Sequence, residues 1–403
     1  MRSFLTAFFR WALRIFYRRI EVTGLEKIPA DAPVIFAVNH PNGLLDPLFI
    51  LSFAPRRVSF LAKAPLFSMP VIGSFVRAFD SIPVYRKMDK TIGSNEETFA
   101  RAREIVARGG SIAIFPEGTT HSDAKLRELK TGVARIALGA SVPSLYLVPA
   151  GIYYTAKQVF RSEALVLFGD PIVVVPEGTA EEAVRALTAK VEQGLGALTL
   201  QADSRAALDL IARAEEIFSR GVERPLAEEL ELRRRFVEGY HYLATNDPPR
   251  LARLESAVRQ FPGVSEAPSS ARVSFTFLLL VPLALIGAVI HYPAYRLIGY
   301  LARRFSKGEH HMMGTIKFVA ALALYPLTWA AIATMIALRF GAIPTLVALA
   351  VLPLVAWIAL RIFEHIDEVI GGMRALVHES SEELTAKREA IRREIIAVGK
   401  EIG

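Results

Sequence analysis

From Ile20 to about Val175, short apolar runs alternate with stretches of helical spacing. The runs at 33–38, 57–61, 81–84, 111–115, 145–149, 164–168 and 171–175 read as strands. Between them, 95–108 has helical spacing and stops at Gly109-Gly110, and a second helix is predicted from Thr131 to Gly139. This alternation predicts an α/β domain, a mostly parallel sheet flanked by helices. Residues 179–263 then turn helical and charged. Thr179 and Glu182 open that region with the spacing of a capping box. Pro248-Pro249 splits it, and Pro262 to Ser270 reads as a linker.

The two ends follow other patterns. The first twenty residues carry Arg2, Arg10, Arg14, Arg18 and Arg19 with no acid, interleaved with Phe8, Trp11, Leu13, Ile15 and Phe16. Arg10, Arg14 and Arg18 recur every fourth position and share one helix face. Such a helix suits the plane of a membrane interface; a basic helix packed on its own domain is the other reading. Val273–Ile290, Phe318–Leu338 and Ala342–Leu360 are uncharged, and each is near the roughly 20 residues that cross a bilayer. Only Arg339-Phe340-Gly341 separates the last two, which predicts a tight hairpin. Pro282 falls inside the first and predicts a re-entrant break. In the polar tail, Leu384, Ile391, Ile395, Val398 and Ile402 form one amphipathic stripe. The predicted layout is an interfacial helix (1–20), an α/β domain (21–178), a helical region (179–263), membrane segments (273–360) and a C-terminal amphipathic helix (361–403).

Composition narrows the chemistry. With 52% hydrophobic and 22% charged residues, the chain can fill both a membrane segment and a soluble core. Cysteine is absent, which excludes disulfides, thiolate zinc sites, a cysteine nucleophile and iron–sulfur clusters. The net charge of +8 suits an anionic partner. Nucleic acid is disfavoured, because the densest basic segments flank the apolar ones instead of lining an aromatic groove or a recognition helix. The loop with Arg296, Arg303, Arg304, Lys307 and Lys317 against Glu309 obeys the positive-inside tendency if cytoplasmic. This predicts an integral protein of the cytoplasmic (inner) membrane, its α/β domain facing the cytoplasm.

The candidate chemistry sits at strand ends. Asn39-His40-Pro41-Asn42-Gly43-Leu44-Leu45-Asp46 follows the run Val34–Val38. Ligands of α/β sheets bind at the carboxyl ends of strands. A carboxylate beside an imidazole fixes its tautomer and raises its basicity, so His40 with Asp46 is a candidate general base. Asp46 before Pro47 also fits a helix N-cap, the structural alternative. Phe115-Pro116-Glu117-Gly118-Thr119-Thr120 follows another strand, with His121, Lys125, Arg127 and Lys130 close behind. Pro176-Glu177-Gly178 repeats the tripeptide but runs straight into the capping box. Arg86, after Ile82-Pro83-Val84-Tyr85, is suited to grip a phosphate.

In this order, these strand ends resemble the glycerolipid acyltransferases of glycerol-3-phosphate and 1-acylglycerol-3-phosphate. The resemblance covers roughly residues 15–175. It implies that His40 is the base and Asp46 its partner, and that Gly73 to Arg86 binds acceptor phosphate. It places Phe115 to Thr119 and Val148 to Ile152 in the third and fourth motifs. Substrate contacts are thereby implied for Asn39, Arg86, Glu117, Gly118, Thr119, Lys130 and Pro149. The family spacing is His-x4-Asp, whereas five residues separate His40 from Asp46. A branch with Asn-His-Pro-Asn at this place is similar. Thr120 stands where an arginine is frequent, and Lys130 or Arg86 is the replacement contact. The implied donor is acyl-CoA or acyl-carrier protein, and the implied acceptor is glycerol-3-phosphate or a lysolipid such as 1-acylglycerol-3-phosphate. A bilayer with anionic lipid is the implied surface, with no metal and no cofactor. Remodelling of another lysolipid, or a catalytically decayed lipid-binding membrane protein, is the alternative.

Overall fold

The structure is a computed structural model that describes residues 2–70, 72–85, 95–220, 222, 224–262, 275–379 and 382–403. Two compact units divide the chain. The first comprises Met1–Ser204 with two returning segments, Pro225–Leu230 and His310–Thr315. The second comprises Arg205–Arg224, Glu231–Glu309 and Ile316–Gly403.

One sheet organises the first unit. Its strands are β1 (Arg19–Thr23), β2 (Val34–Val38), β3 (Val58–Lys63), β4 (Ile82–Val84), β5 (Ser111–Ile114), β6 (Tyr146–Tyr154), β7 (Glu163–Phe168) and β8 (Ile172–Val173). The order is β1-β7-β6-β2-β5-β3-β4, with β8 beside β6. Neighbours are parallel, except that β6 runs antiparallel to β7 and β8. The mostly parallel sheet expected from the sequence is therefore present. β2 lies between β5 and β6, and all five of its residues are buried. A strand covered on both faces needs such an unbroken apolar run. Its Ile35 and Ala37 join a core with α4 (Asn95–Ala107), α5 (Gly132–Leu138) and α6 (Ala180–Leu198). Phe36, on the other face, meets Phe168 edge-on. α1 (Arg2–Phe16) packs on α2 (Leu45–Phe53), with Leu13 and Phe16 buried. A short α3 (Ile72–Ala78) precedes β4.

Two strand boundaries differ from expectation. β1 is not among the predicted strands: Arg19-Ile20-Glu21-Val22-Thr23 is an edge strand whose charged positions are paired, Arg19 across the ladder and Glu21 beyond the sheet. Arg19 pairs with Glu163 at 2.8 Å, and Glu21 accepts the Leu226 amide at 2.7 Å. The run expected at 145–149 continues to Tyr154, since β6 leaves β2 and goes on pairing with β7 through Tyr154. The capping box at Thr179 and Glu182 is formed as expected.

In the second unit, α7 (Arg205–Ser219), α8 (Leu226–Asn246), α9 (Pro248–Gln260) and α13 (Glu382–Ile402) are the shorter helices; α8 begins in the first unit. Leu210, Ala214, Ile217, Val258, Phe261 and Ile391 form a core there with Ile395 packed against it, so two residues of the predicted C-terminal stripe meet this core. The linker expected at 262–270 lies mostly outside the described residues. α10 (Phe275–Phe305), α11 (His310–Phe340) and α12 (Ala342–Glu379) follow. Leu279–Phe305, His310–Phe340 and Ala342–Glu364 are long and apolar enough to cross a membrane. The re-entrant break expected at Pro282 is absent, for α10 runs unbroken through Pro282 and Pro293. Among the described residues, α12 packs along α10 through Ala284, Ile358 and Ala359, so the expected α11–α12 hairpin is not the packed pair.

Candidate active site

The carboxyl ends of β2, β5 and β6 converge. Asn39 leaves β2 buried, donating through Nδ2 to the Ile152 carbonyl at 3.1 Å and accepting the Ile152 amide at 2.7 Å. This paired contact locks β2 to β6 just before His40. The structure thus gives Asn39 a strand-joining role. The His40 ring stacks on Phe115 at 4.0 Å between centroids.

His40 Nδ1 lies 2.8 Å from Asp46 Oδ2. An ionised carboxylate only accepts, so Nδ1 carries a proton, and in the neutral ring Nε2 is then the nitrogen with the free lone pair. Asp46 is wholly buried and is not the expected N-cap. α2 starts at Leu45, with Leu44 at the cap position, so Asp46 stands inside the first turn. From there its Oδ2 also accepts the Asn42 amide at 2.6 Å, and Oδ1 accepts the Tyr154 hydroxyl at 2.6 Å. A buried carboxylate needs such donors, and a helix N-terminus favours its charge. Burial first, and then the Asp46 charge, pushes the Tyr154 phenol well above its ordinary value. The same causes raise Tyr17, which is buried beside Tyr154 with ring centroids 5.6 Å apart. The Tyr17 hydroxyl faces Tyr154 and Asn42 without a hydrogen bond of good geometry.

The loop after β5 supports His40 from the other side. Glu117 is buried; its Oε1 accepts the His40 amide at 2.9 Å. Its Oε2 accepts from His121 Nε2 and from the Arg127 amide at 3.2 Å. His121 Nδ1 in turn accepts the Asp123 amide at 3.2 Å, which fits a neutral imidazole protonated on Nε2. The Arg127 hydrogen bond holds the Asp123 carboxyl below its ordinary value. Gly118 takes φ +73°, and Gly178 in the second Pro-Glu-Gly takes φ +72°. The tripeptide therefore encodes one turn twice, and only the first copy stands beside His40.

Of the remaining predicted residues, Lys130 stays beside the Glu117 loop, its amide donating to the Pro116 carbonyl at 2.7 Å. Thr119 is half-buried, and Lys130 is exposed, its Cγ close to where a side chain at Gly118 would begin. Pro149 is buried in β6 with its ring against Gly194 of α6, so the structure does not bring it to the His40 cluster. Arg86 lies outside the described residues. Sequence reading missed Tyr17 and Tyr154, which flank the strands as ordinary apolar-run aromatics. It also missed Lys157, whose Nζ donates to the Pro41 carbonyl at 2.9 Å. Among the described residues, no three His, Asp or Glu side chains are grouped to hold a metal ion.

The model of the acyltransferase family matches residues 19–153. Glycerol-3-phosphate O-acyltransferase 1 of Saccharomyces cerevisiae is 25% identical over 411 residues, covering 72% of this chain and 53% of that protein. A chloroplastic 1-acyl-sn-glycerol-3-phosphate acyltransferase of Brassica napus is 32% identical over 161 residues, covering 40% and 44%. The chain thus spans about half the length of these curated relatives. The solved 1-acyl-sn-glycerophosphate acyltransferase of Thermotoga maritima aligns at 21% identity with a TM-score of 0.38, over 50% of this chain and 82% of that one.

Proposed function

We propose that this chain, whose residues 19–153 match the model of the acyltransferase family, is a membrane-bound glycerolipid O-acyltransferase. The donor is an acyl thioester, acyl-CoA or acyl-carrier protein. The acceptor is glycerol-3-phosphate or 1-acylglycerol-3-phosphate, the two acceptors for which the relatives are named. The observation that carries the reading is the contact of His40 Nδ1 with Asp46 Oδ2 at the end of β2, which leaves Nε2 as a base.

In the proposed reaction, His40 Nε2 takes the proton of the acceptor hydroxyl as its oxygen attacks the thioester carbonyl. The new C–O bond forms and the C–S bond breaks. The proton held on Nε2 then passes to the departing thiolate. Asp46 holds the ring in the productive tautomer and stabilises the imidazolium between these two transfers. General-base assistance of this kind is worth roughly 10²–10⁴-fold. Lys130 and Arg86 are the proposed cations for acceptor phosphate. The three long apolar helices support membrane anchoring. A cytoplasmic catalytic domain is part of the proposal, because acyl thioesters are found on that side.

The test uses the full chain in lipid nanodiscs, with labelled acyl-CoA or acyl-carrier protein offered to each acceptor in turn. The expected result is thioester-dependent acylation of one phosphorylated acceptor, lost in His40→Ala. Transfer that persists in His40→Ala at the wild-type rate overturns the role of His40. No transfer to either acceptor overturns the substrate class.

A further inference from the structure

We propose that Gly314 and Thr315 are positioning residues for the His40–Asp46 turn, supplied from far outside the 19–153 domain. The idea rests on the reading of His40 as the general base. The segment His310–Thr315 belongs to the same compact unit as the sheet. Thr315 Oγ1 accepts the Leu44 amide at 3.0 Å. Leu44 stands at the start of α2, where helix amides have no intrahelical acceptor, and α2 supplies no side-chain cap of its own. The hydroxyl of Thr315 therefore satisfies the Leu44 amide, while the Asn42 carbonyl accepts the next two, Leu45 at 3.0 Å and Asp46 at 3.2 Å.

Close backbone approach makes the contact specific. A Cβ on Gly43 would stand 2.7 Å from Thr315 Oγ1. A Cβ on Gly314 would stand 2.5 Å from the Lys157 carbonyl oxygen and 3.0 Å from Asn42 Nδ2. Both glycines leave room for the other segment. Asn42, the residue Gly314 abuts, donates its own amide to Asp46 Oδ2 and its side-chain amide to the Lys157 carbonyl at 3.2 Å. Thr315 and Gly314 thus hold the two residues, Leu44 and Asn42, that set where Asp46 lies under His40. This turn holds one residue more than the His-x4-Asp spacing, and a longer loop has more freedom to lose. A second strand of chain gripping it from outside offsets that freedom.

The experiment compares wild type, Thr315→Val and Thr315→Ser as full chains in nanodiscs. It reads hydrogen exchange of the peptide containing Leu44, melting temperature, kcat, and both KM values. Thr315→Val keeps shape and removes the acceptor. The expected result is faster exchange at 41–46 and kcat lowered about 10–100-fold, with both KM values unchanged. Thr315→Ser, which keeps the hydroxyl, restores both. Unchanged exchange in Thr315→Val overturns the proposal, as does faster exchange with unchanged kcat, or a loss that Ser does not rescue. If wild type transfers no acyl group, the proposed function fails. The clasp is then decided by exchange alone: acceleration in Val with protection in Ser supports it, and equal exchange in all three overturns it.

Discussion

The Tyr154 hydroxyl donates to Asp46 Oδ1 at 2.6 Å, the oxygen that His40 does not use. The end of β6 therefore holds the carboxylate that orients the imidazole at the end of β2. Tyr154→Phe keeps the ring and deletes the donor. A hydrogen bond to a buried charge contributes about 1.5–3 kcal/mol, so the variant should lose about that much stability in chemical denaturation. Asp46, with one donor fewer, should attract the imidazolium proton more strongly. The acid limb of the kcat/KM profile should then move to higher pH. A profile that superimposes on the wild type would show that Tyr154 only fills space.

Tyr17 and Tyr154 should titrate late. Both phenols are pushed well above the ordinary 10.0, first by burial and then by the Asp46 charge. A group whose folded pKa is raised favours folding below its unfolded value, and that contribution is lost as pH rises past it. Stability should therefore hold up to about pH 10 and fall above it. Phenolate absorbance at alkaline pH should show Tyr17 and Tyr154 among the tyrosines that ionise only together with unfolding. Tyr17→Phe should remove one of the two. Normal ionisation of both in the folded chain would contradict the burial.

Glu117 gives a second, independent test of the loop after β5. Its two oxygens accept the His40 amide, the Arg127 amide and His121 Nε2. Glu117→Gln puts an NH₂ where one oxygen stood, facing donors. An unsatisfied buried group costs about 1–3 kcal/mol, so the variant should unfold at lower denaturant. It should also lower kcat, because the His40 backbone is then held on one side only. Full stability in Glu117→Gln would mean that the loop can re-pair, and that Glu117 does not fix His40.

These partners show why half of the cluster was legible and half was not. His40 and Asp46 stand six positions apart in one loop, where spacing suggests the pair; Glu117 lies in a second strand-end motif, and the resemblance implied for it a substrate contact. Tyr154 lies 108 positions from Asp46 and Thr315 lies 271 from Leu44. Tyr154 ends an apolar run where the expected role is packing, and Thr315 stands in a segment between His311 and Lys317 that was read only as a basic loop. The same logic separates correct from incorrect elements. β2 and β5 are central, and their unbroken apolar runs announce burial on both faces. β1 is an edge strand, and its Arg-Ile-Glu-Val-Thr pattern shows no such run. At Pro282 the local rule pointed to a break, yet α10 continues, with Ala284 buried against Ile358 and Ala359. Tertiary packing there outweighs the lost backbone hydrogen bond. Asp46-Pro47 misled in another way. The pair does mark a helix start, but the helix begins earlier, and the carboxylate serves His40 instead of the cap.

The N-terminal helix shows a division of labour that its sequence left open. Arg2 donates to Asp80 at 2.6 Å and Arg10 to the Ser52 carbonyl at 2.8 Å, while Arg14 lies over the Phe53 ring. Much of the arginine set is thus spent on holding α1 to its own domain. Phe4 and Trp11 point away, 73% and 57% exposed. Exposed rings on a helix otherwise packed to its domain are suited to the acyl boundary of a bilayer. Ring insertion and arginine–headgroup attraction respond differently to salt. Charge attraction between exposed groups is screened within about 8–10 Å at moderate ionic strength, whereas apolar burial is not weakened. The measurement uses a chain in which Trp329 and Trp357 are replaced by Phe, leaving Trp11 as the one tryptophan. In reconstituted bilayers its emission should be blue-shifted and quenched by lipid-depth quenchers, and both signals should survive high salt. Signals lost in salt would return the contact to the arginines. Emission unaffected by any depth quencher would mean that α1 only packs on its domain. Trp11→Ser should then leave activity on membrane-embedded acceptor unchanged, where ring insertion predicts a fall on that acceptor and none on a short soluble analogue.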